Sequence, residues 1–287
     1  MILSGTLAAP TLADPFVLFG DADVEAAALT RSTRAEPPIT QPFFSEDAMI
    51  TTDIRPVYVY HDFPNSSVID GGRANVIAAQ VRVALTDNIQ FVAYKDGYAD
   101  VDTGAVKGDG IMDLAAGIKW AFLQDWDNQL HLAVGVGYEA SIGDDEVLQD
   151  DDDIRIFLAG NKSFDKLHFS GTVNYFVPVD GEDPLGDSQL LTWNLHADYA
   201  VTDWFAPIIE FNGYHVIDEG DNQPLPFMGV DVANLGGGQG EDVVTVAPGV
   251  AIRPTENLSF RAAWEAPITR NDDLFGYRWT FSAVIRF

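Results

Sequence analysis

The sequence predicts an all-β fold, a twelve-stranded antiparallel transmembrane β-barrel. Three observations support this prediction. Twelve segments alternate apolar and polar residues, and most are longer than the ~5–6 residues typical of soluble strands and close to the ~9–11 needed to cross a bilayer. The connections between them alternate strictly between short and long, as in a barrel with tight turns at one end. No run of 18 apolar residues occurs, which excludes an ordinary transmembrane helix.

The predicted strands account for most of the chain after residue 51. They cover residues 53–61, 75–86, 89–96, 111–122, 129–142, 154–164, 167–178, 189–202, 204–217, 243–253, 258–268 and 276–287. The short connections are 86–88, 123–128, 165–166, 202–203 and 255–257. The long ones are 62–74, 97–110, 143–153, 179–188, 218–242 and 269–275, and they are rich in Gly, Asp, Asn and Pro. An even strand count places both chain ends on the side of the short turns.

Each predicted strand has one apolar and one polar face. In 189–202, for example, one face holds Leu191, Trp193, Leu195, Ala197, Tyr199 and Val201, and the other holds Thr192, Asn194, His196 and Asp198. In 111–122, the apolar face is predicted to hold Met112, Leu114, Ala116, Ile118, Trp120 and Phe122. Alternation alone also fits a soluble β-sandwich. Long strands with aromatic residues near their ends favour the membrane barrel. The first and third strands alternate least cleanly.

Composition excludes several classes of function. The net charge of −28 opposes binding to nucleic-acid phosphates. The absence of cysteine excludes disulfides, thiolate metal sites and cysteine nucleophiles. With 287 residues and no long linker, a single large domain is expected. No cofactor is predicted.

The last strand reads "GYRWTFSAVIRF" and ends the chain on a phenylalanine of its apolar face. Tyr277, Trp279, Phe281 and Phe287 share that face, and this pattern resembles the insertion signal of bacterial outer-membrane β-barrel proteins. The layout also loosely resembles twelve-stranded transporters associated with aromatic-compound degradation operons. The resemblance implies a Gram-negative outer membrane, assembly by the barrel-assembly machinery, and contact with lipid and lipopolysaccharide. It also implies short periplasmic turns and long extracellular loops, and the loops are acidic in this sequence. Oligomeric state is left open.

The first 50 residues do not follow the strand pattern. Residues 1–13 look like the remnant of a signal peptide, although its basic front region is missing. Residues 14–50 form an N-terminal arm that could plug the lumen, lie on the periplasmic rim or be disordered. Phe43 and Phe44 are large apolar residues that would be buried in a packed arm. This favours an arm that plugs the lumen or lies on the rim over a disordered one. The barrel is predicted to span residues 51–287.

In a membrane barrel the polar face of each strand lines the interior. The residues predicted to line the lumen and set its selectivity are Arg82, Asp113, Lys119, Glu139, Arg155, His168, His196, Asp198, Glu210, Arg253, Arg261, Glu265, Arg278 and Arg286. Arg55 is a further candidate. Basic residues outnumber acidic ones in this set, which favours small anions if a path is open. Alternatively, the charges pair into a static core that conducts nothing.

Acidic residues concentrate in the long loops, most densely in "GDDEVLQDDDDI" at 143–154. The spacing does not fit an EF-hand, and no calcium-binding nonapeptide repeats, so no specific metal site is predicted. Diffuse attraction of divalent cations to these loops is left open.

One predicted strand also holds residue types found in hydrolase sites. His168, Ser170 and Asn174 share one strand face and are similar to the His, Ser and amide group of outer-membrane phospholipase A. The opposite face of this strand is the apolar one, so the three residues would face the lumen, away from lipid. The predicted function is therefore a passive channel or transporter for small solutes, not an enzyme. The alternatives are a lipid-modifying enzyme using His168 and Ser170, or a structural or adhesive barrel with a closed lumen. The substrate is open: charge favours small anions, whereas the resemblance favours hydrophobic or aromatic compounds.

Overall fold

The structure is a computed structural model that describes residues 16–20, 35–67, 69–147, 149, 152–179, 187–220, 242–269 and 275–287. The first strands are β1 (Asp53–Phe63), β2 (Gly72–Ala84), β3 (Ile89–Lys95), β4 (Tyr98–Thr103), β5 (Lys107–Ile111), β6 (Leu114–Asp125) and β7 (Leu130–Ala140). They are followed by β8 (Asp153–Phe164), β9 (Leu167–Pro178), β10 (Gln189–Tyr199), β11 (Phe205–Asp218), β12 (Val243–Thr255), β13 (Leu258–Pro267) and β14 (Tyr277–Arg286). A single 3₁₀ turn, Asp145–Val147, precedes β8. Among these residues, no helix is long and apolar enough to cross a membrane.

The strands form one closed antiparallel barrel. From β6 to β14 each strand pairs with its neighbours in the chain, and β1 pairs with both β2 and β14, which closes the sheet on itself. β3 and β4 both pair with β2 and run in succession along it, so together they make one barrel strand. β5 and β6 pair with β4 and β3 in the same way. Fourteen strands minus these two continuations give twelve, which confirms the predicted fold class.

The segment predicted as a loop at 97–110 is a β-hairpin instead. β4 and β5 extend the barrel wall beyond the break at Asp96-Gly97. Gly97 has φ of +126°, and a side chain there would start 2.5 Å from the carbonyl oxygen of Ile77, so the break needs glycine. A pattern of period two does not reveal such an interruption.

The same break overturns one facing prediction. The alternation predicts Met112 on the outer apolar face, but this side chain is 1% exposed and packs in the interior. Asp113, the next residue, is also buried, because the chain between β5 and β6 is not extended strand and the alternation resets there. Lys95, the last residue of β3, is also buried.

Elsewhere the two faces separate as predicted. Large apolar side chains are exposed on the outside, for example Ile77 at 65%, Leu195 at 56% and Trp204 at 57%. The side chains that alternate with them are polar or charged and buried, as His196 and Asp198 are on β10. A closed barrel satisfies its own backbone hydrogen bonds, so an apolar outer wall of this kind suits the hydrocarbon core of a membrane.

The barrel has a turn end and a loop end. The turn end is where the short connections lie and where β1 begins and β14 ends. Near the loop end, the interior is apolar: Val57 and Val59 of β1 face inward and pack with residues of other strands and of the N-terminal arm. These two inward valines are the reason that the first strand alternates poorly in sequence. Other members of this apolar cluster are Phe63, Ala74, Val76, Val101, Met112, Val147, Phe176, Leu190, Tyr214, Val216, Val243 and Phe275.

Candidate channel interior and the N-terminal arm

The N-terminal arm, here residues 35–50, lies inside the barrel. The backbone amide of Glu36 is 3.3 Å from Asp198 at the turn end of β10. The arm then runs toward the loop end, where the ring centroids of Phe44 and Phe176 lie 4.4 Å apart. It returns to Ala48, which packs with Ala121 and Ala133 close to the turn end. The arm is therefore a loop inserted from the turn end, and every residue from Glu36 to Ala48 is buried.

The tip of the arm is a tight turn. The amides of Phe44 and Ser45 both donate to the carbonyl oxygen of Gln41, at 2.9 and 2.7 Å, and Gln41 has φ of +50°. Prolines 37, 38 and 42 carry no amide hydrogen, so the arm has fewer donors to satisfy inside the barrel. Its carbonyl groups, by contrast, need donors, and the wall supplies them.

The carboxylate of Glu46 is held by two wall cations. Arg82 on β2 donates through Nη2 at 2.8 Å and through Nε at 3.1 Å, and Lys119 on β6 approaches with Nζ at 3.1 Å. All three side chains are at most 1% exposed. Burial would raise the pKa of the Glu46 carboxyl, but the charges of Arg82, Lys119 and Arg55 outweigh it and hold the pKa well below its usual range. Glu46 is therefore ionised at neutral pH.

Three more arginines contact the arm. Arg253 Nε lies 2.7 Å from the carboxylate of Glu36, an ion pair by distance without hydrogen-bond alignment. Arg261 Nη1 donates to the carbonyl oxygens of prolines 37 and 38, at 2.7 and 3.2 Å. Arg155 donates to the carbonyl oxygens of Phe43 and Phe44, and to Asn174. These contacts come from strands on different sides of the barrel, so the arm spans the interior.

Glu210 on β11 anchors the first half of the arm. It accepts hydrogen bonds from the amides of Ile39 and Thr40, both at 2.8 Å, and from the Thr40 hydroxyl. Asn212 donates to the same hydroxyl at 2.8 Å. Glu210 also bonds His196 Nδ1 at 2.6 Å, so a wall imidazole shares this carboxylate with the arm.

Other wall carboxylates are paired with groups of the wall itself. Arg278 Nη2 lies 2.8 Å from Glu265, and Lys95 pairs with Glu139. Asp53 holds Arg55 at 2.7 Å, although Arg55 also reaches Asp47 of the arm at 3.3 Å. The buried charges thus fall into two groups: these acids have basic partners in the wall, whereas Arg82, Lys119 and Arg253 have their carboxylate partners in the arm.

The residues predicted to line the lumen are brought together inside the barrel with one exception. Thirteen of the fourteen side chains are buried, and Arg286, at the end of β14, is half-buried. Their role in selectivity stays a prediction. Sequence reasoning missed the inner positions of Asp53, Lys95 and Asp153, and of the arm acids Glu36 and Glu46. The arm acids had no periodic signal, since the arm is not a strand.

The predicted insertion signal lies on the outer wall. Trp279, Phe281 and Phe287 are 40%, 44% and 50% exposed, and Tyr277 is partly exposed. The Trp279 and Phe281 rings stack with centroids 5.9 Å apart. This places an aromatic stripe where lipid or an assembly factor can reach it, and its role in insertion stays a prediction.

The geometry at His168 and Ser170 does not form a nucleophile–base pair. His168 Nδ1 bonds Asp198 at 2.9 Å, and its Nε2 faces the carbonyl oxygen of Asp165 at 3.2 Å. Both ring nitrogens therefore have partners other than the Ser170 hydroxyl, and both side chains are buried inside the barrel. In the described part of the chain, no group of three or more His, Asp or Glu residues is arranged to hold a metal ion.

Some sequence predictions lie outside the described residues. Residues 1–13 do so entirely. So do residues 148, 150 and 151 of the acidic run at 143–153, and much of the loops 179–188, 218–242 and 269–275. The acidity of the loop end therefore stays a prediction.

Comparison with known proteins supports the fold. No protein-family model matches the sequence, and no curated protein matches it. Among solved structures, an outer membrane channel from Pseudomonas putida F1 superposes with a TM-score of 0.62 at 13% identity, covering 88% of this chain and 100% of that one. The barrel has the fold of outer-membrane channels. The NanC porin is also similar, with a TM-score of 0.52 at 10% identity, covering 82% of this chain and 100% of the porin. These superpositions and the apolar outer wall together confirm the predicted transmembrane β-barrel fold.

Proposed function

We propose that the protein is a passive outer-membrane channel for small solutes, closed by its N-terminal arm in the state described. One observation carries the proposal. Three buried wall cations, Arg82, Lys119 and Arg253, take their carboxylate partners from a segment that enters the barrel at one end. A purely structural barrel would be expected to pair such charges within its wall, because an unpaired buried charge is costly. An interior that relies on an inserted loop suits a passage that can be emptied.

The arm is proposed as the closing element because of how it is held. Many of its contacts with the wall are hydrogen bonds and ion pairs, which water can replace once the arm leaves. Phe43 and Phe44 are its main apolar anchors, seated in the cluster near the loop end. The short stretch from residue 49 to residue 52 joins the arm to β1, so movement of the arm need not disturb the barrel strands.

Orientation and biogenesis follow from the same proposal. The short turns face the periplasm, so the arm enters from the periplasmic side and the long acidic loops face outward. Residues 1–13 are the remnant of an export signal. Tyr277, Trp279, Phe281 and Phe287 form the insertion signal read by the barrel-assembly machinery, and lipid and lipopolysaccharide surround the outer wall.

A second candidate is a barrel that never opens. The apolar cluster near the loop end favours it. The side chains of Phe63, Phe176, Tyr214 and Phe275 do not belong to the arm, so they would still occupy the interior after the arm left. In this case the function would lie in the loops, as structure or adhesion. The lipid-modifying enzyme has no such support, given the partners of His168.

The two candidates are separated by conductance. Purified protein is inserted into planar bilayers, and folding is checked by heat-modifiable gel mobility. A Ser45→Cys variant reports whether the arm is docked or released. The chain has no native cysteine, and Ser45 is only 6% exposed in the docked arm, so a thiol there can be labelled only when the arm is released. The channel proposal expects current steps, together with thiol labelling of this variant whenever current flows. Absence of current in the wild type and in variants that release the arm would favour the closed barrel.

A further inference from the structure

The wall cations that face the arm share one property. Arg82, Lys119 and Arg253 pair with arm carboxylates, while Arg155 and Arg261 donate to arm carbonyl oxygens. All five side chains are at most 8% exposed. Removal of the arm would therefore uncover five positive charges along the interior.

The wall acids offset these charges unevenly. Glu265 and Glu139 stay paired with wall bases, and Glu210 keeps His196.

The excess is local to the position of Glu46. When the arm leaves, Arg82 and Lys119 lose their carboxylate, while Arg55 keeps Asp53. This region of an emptied bore therefore carries a positive excess in a narrow space with low-dielectric walls, where a field of one sign concentrates oppositely charged solutes.

We propose that Arg82 and Lys119 form a binding site for the carboxylate group of a permeating small organic anion, and that Glu46 occupies this site as an internal competitor. The inference rests on the proposed channel function and names the solute class of that channel. The geometry is already shown with a carboxylate in place. Arg82 Nε lies 3.1 Å from both oxygens of Glu46, Nη2 lies 2.8 Å from one, and Lys119 Nζ lies 3.1 Å from the other.

The surroundings of the site also suit an organic acid. Arg55 adds a further positive charge close enough to act on the same carboxylate. The hydroxyl of Thr172 accepts from the Glu46 amide at 3.0 Å and donates to the Glu46 carbonyl oxygen. It can therefore serve either kind of polar group on a solute. An arginine and a lysine side by side match a carboxylate better than a neutral sugar or an amine.

Competition for one site links the solute to the arm. A carboxylate that binds Arg82 and Lys119 can do so only when Glu46 has left, so it stabilises the released arm. By reciprocity, the docked arm weakens binding of the solute by the same factor. The solute would thus favour opening of its own path.

The test uses two full-length variants in planar bilayers. Glu46→Gln removes the competitor, and Glu46→Gln combined with Arg82→Gln also removes one site cation, leaving two neutral amides that can bond each other. Reversal potential in a KCl gradient gives ion selectivity. Added acetate or benzoate gives the concentration that halves the chloride current. Lys107→Gln in the Glu46→Gln background is the control, because Lys107 is exposed on β5 near the loop end and contacts Asp102.

The expected result is an anion-selective Glu46→Gln channel that both carboxylates block. Loss of Arg82 should raise the half-blocking concentration by about ten- to a hundred-fold, the range for a hydrogen bond to a charged group. The control should match Glu46→Gln. A cation-selective current, or a half-blocking concentration that does not change when Arg82 is replaced, would overturn the carboxylate site but not the channel function. Block by phosphate at the same concentrations as acetate and benzoate would reduce the site to a general anion site and also overturn the proposal. Absence of current in every folded variant would instead refute the channel function itself.

Discussion

Replacement of Glu46 by glutamine tests the arm most directly. The change keeps the shape of the side chain and removes its charge. Arg82 and Lys119 then remain buried without a carboxylate, since the contacts between Glu46 and these two residues are their ion pairs. Lys119 keeps the carbonyl oxygens of Asp47 and Met49, both at 2.8 Å, so its loss is smaller than that of Arg82. The docked arm should be destabilised relative to the released arm, in which water solvates all three groups.

The size of the effect follows from the burial of the pair. Removing one member of a buried ion pair costs about 3–5 kcal/mol. Because every 1.4 kcal/mol changes an equilibrium tenfold, the ratio of docked to released arm should fall by about 140- to 4000-fold. The carbonyl contacts that Lys119 retains place the expected value near the lower limit.

Open probability in planar bilayers measures this ratio, and thiol labelling of a Ser45→Cys background measures it independently. Glu265→Gln is the matched control, because Glu265 is equally buried and its ion pair with Arg278 lies within the wall. Both variants must first show the mobility shift of a folded barrel. If the open probability and the thiol labelling of Glu46→Gln are no higher than those of Glu265→Gln, the charge of Glu46 does not hold the arm in place.

Three further predictions follow. Phe44→Ala removes the ring that packs on Phe176; a buried Phe-to-Ala change costs about 3–5 kcal/mol, so thiol labelling of the arm should rise, and an unchanged rate would contradict this. Phe287→Ala should lower the heat-modifiable fraction of protein assembled in cells, whereas Phe164→Ala, which alters an equally exposed outer ring, should not; equal loss in both would remove the special role of the last residue. The pKa of Glu46 is lowered in the docked state, so the stability it gives is present above its ordinary value of about 4.5 and is lost as pH falls through the lower, docked-state value. Open probability of the wild type should therefore approach that of Glu46→Gln only below about pH 4.5, and convergence already at pH 6 would count against the ion pair.

Most of the barrel could be predicted because one face of each strand contacts a polar interior and the other face contacts apolar surroundings. His196 and Asp198 on β10 alternate with Leu195 and Tyr199 for this reason. The pattern fails where the backbone is not extended. At Met112 the strand is interrupted, and a residue predicted to face outward lies inside. Only Gly97 hinted at such an interruption.

Most wall residues of the interior could be predicted from the sequence, but their partners in the arm could not. The inner position of Arg82 and Lys119 follows from the alternation of their strands. Their partner does not, since Glu46 lies 36 residues from Arg82 in a segment without periodicity. Local patterns tell which way a side chain points along a strand. They contain no information on which distant segment enters the space that the strands enclose, and that segment decides which charges are neutralised.

The position of the arm also allows a late step in biogenesis. The arm leads directly into β1, and β1 meets β14 at the seam where the first and last strands join. Because the arm lies in the interior at the turn end, it can enter through that end after the seam has joined, without crossing the membrane face. The chain can therefore fill the interior after its wall is complete.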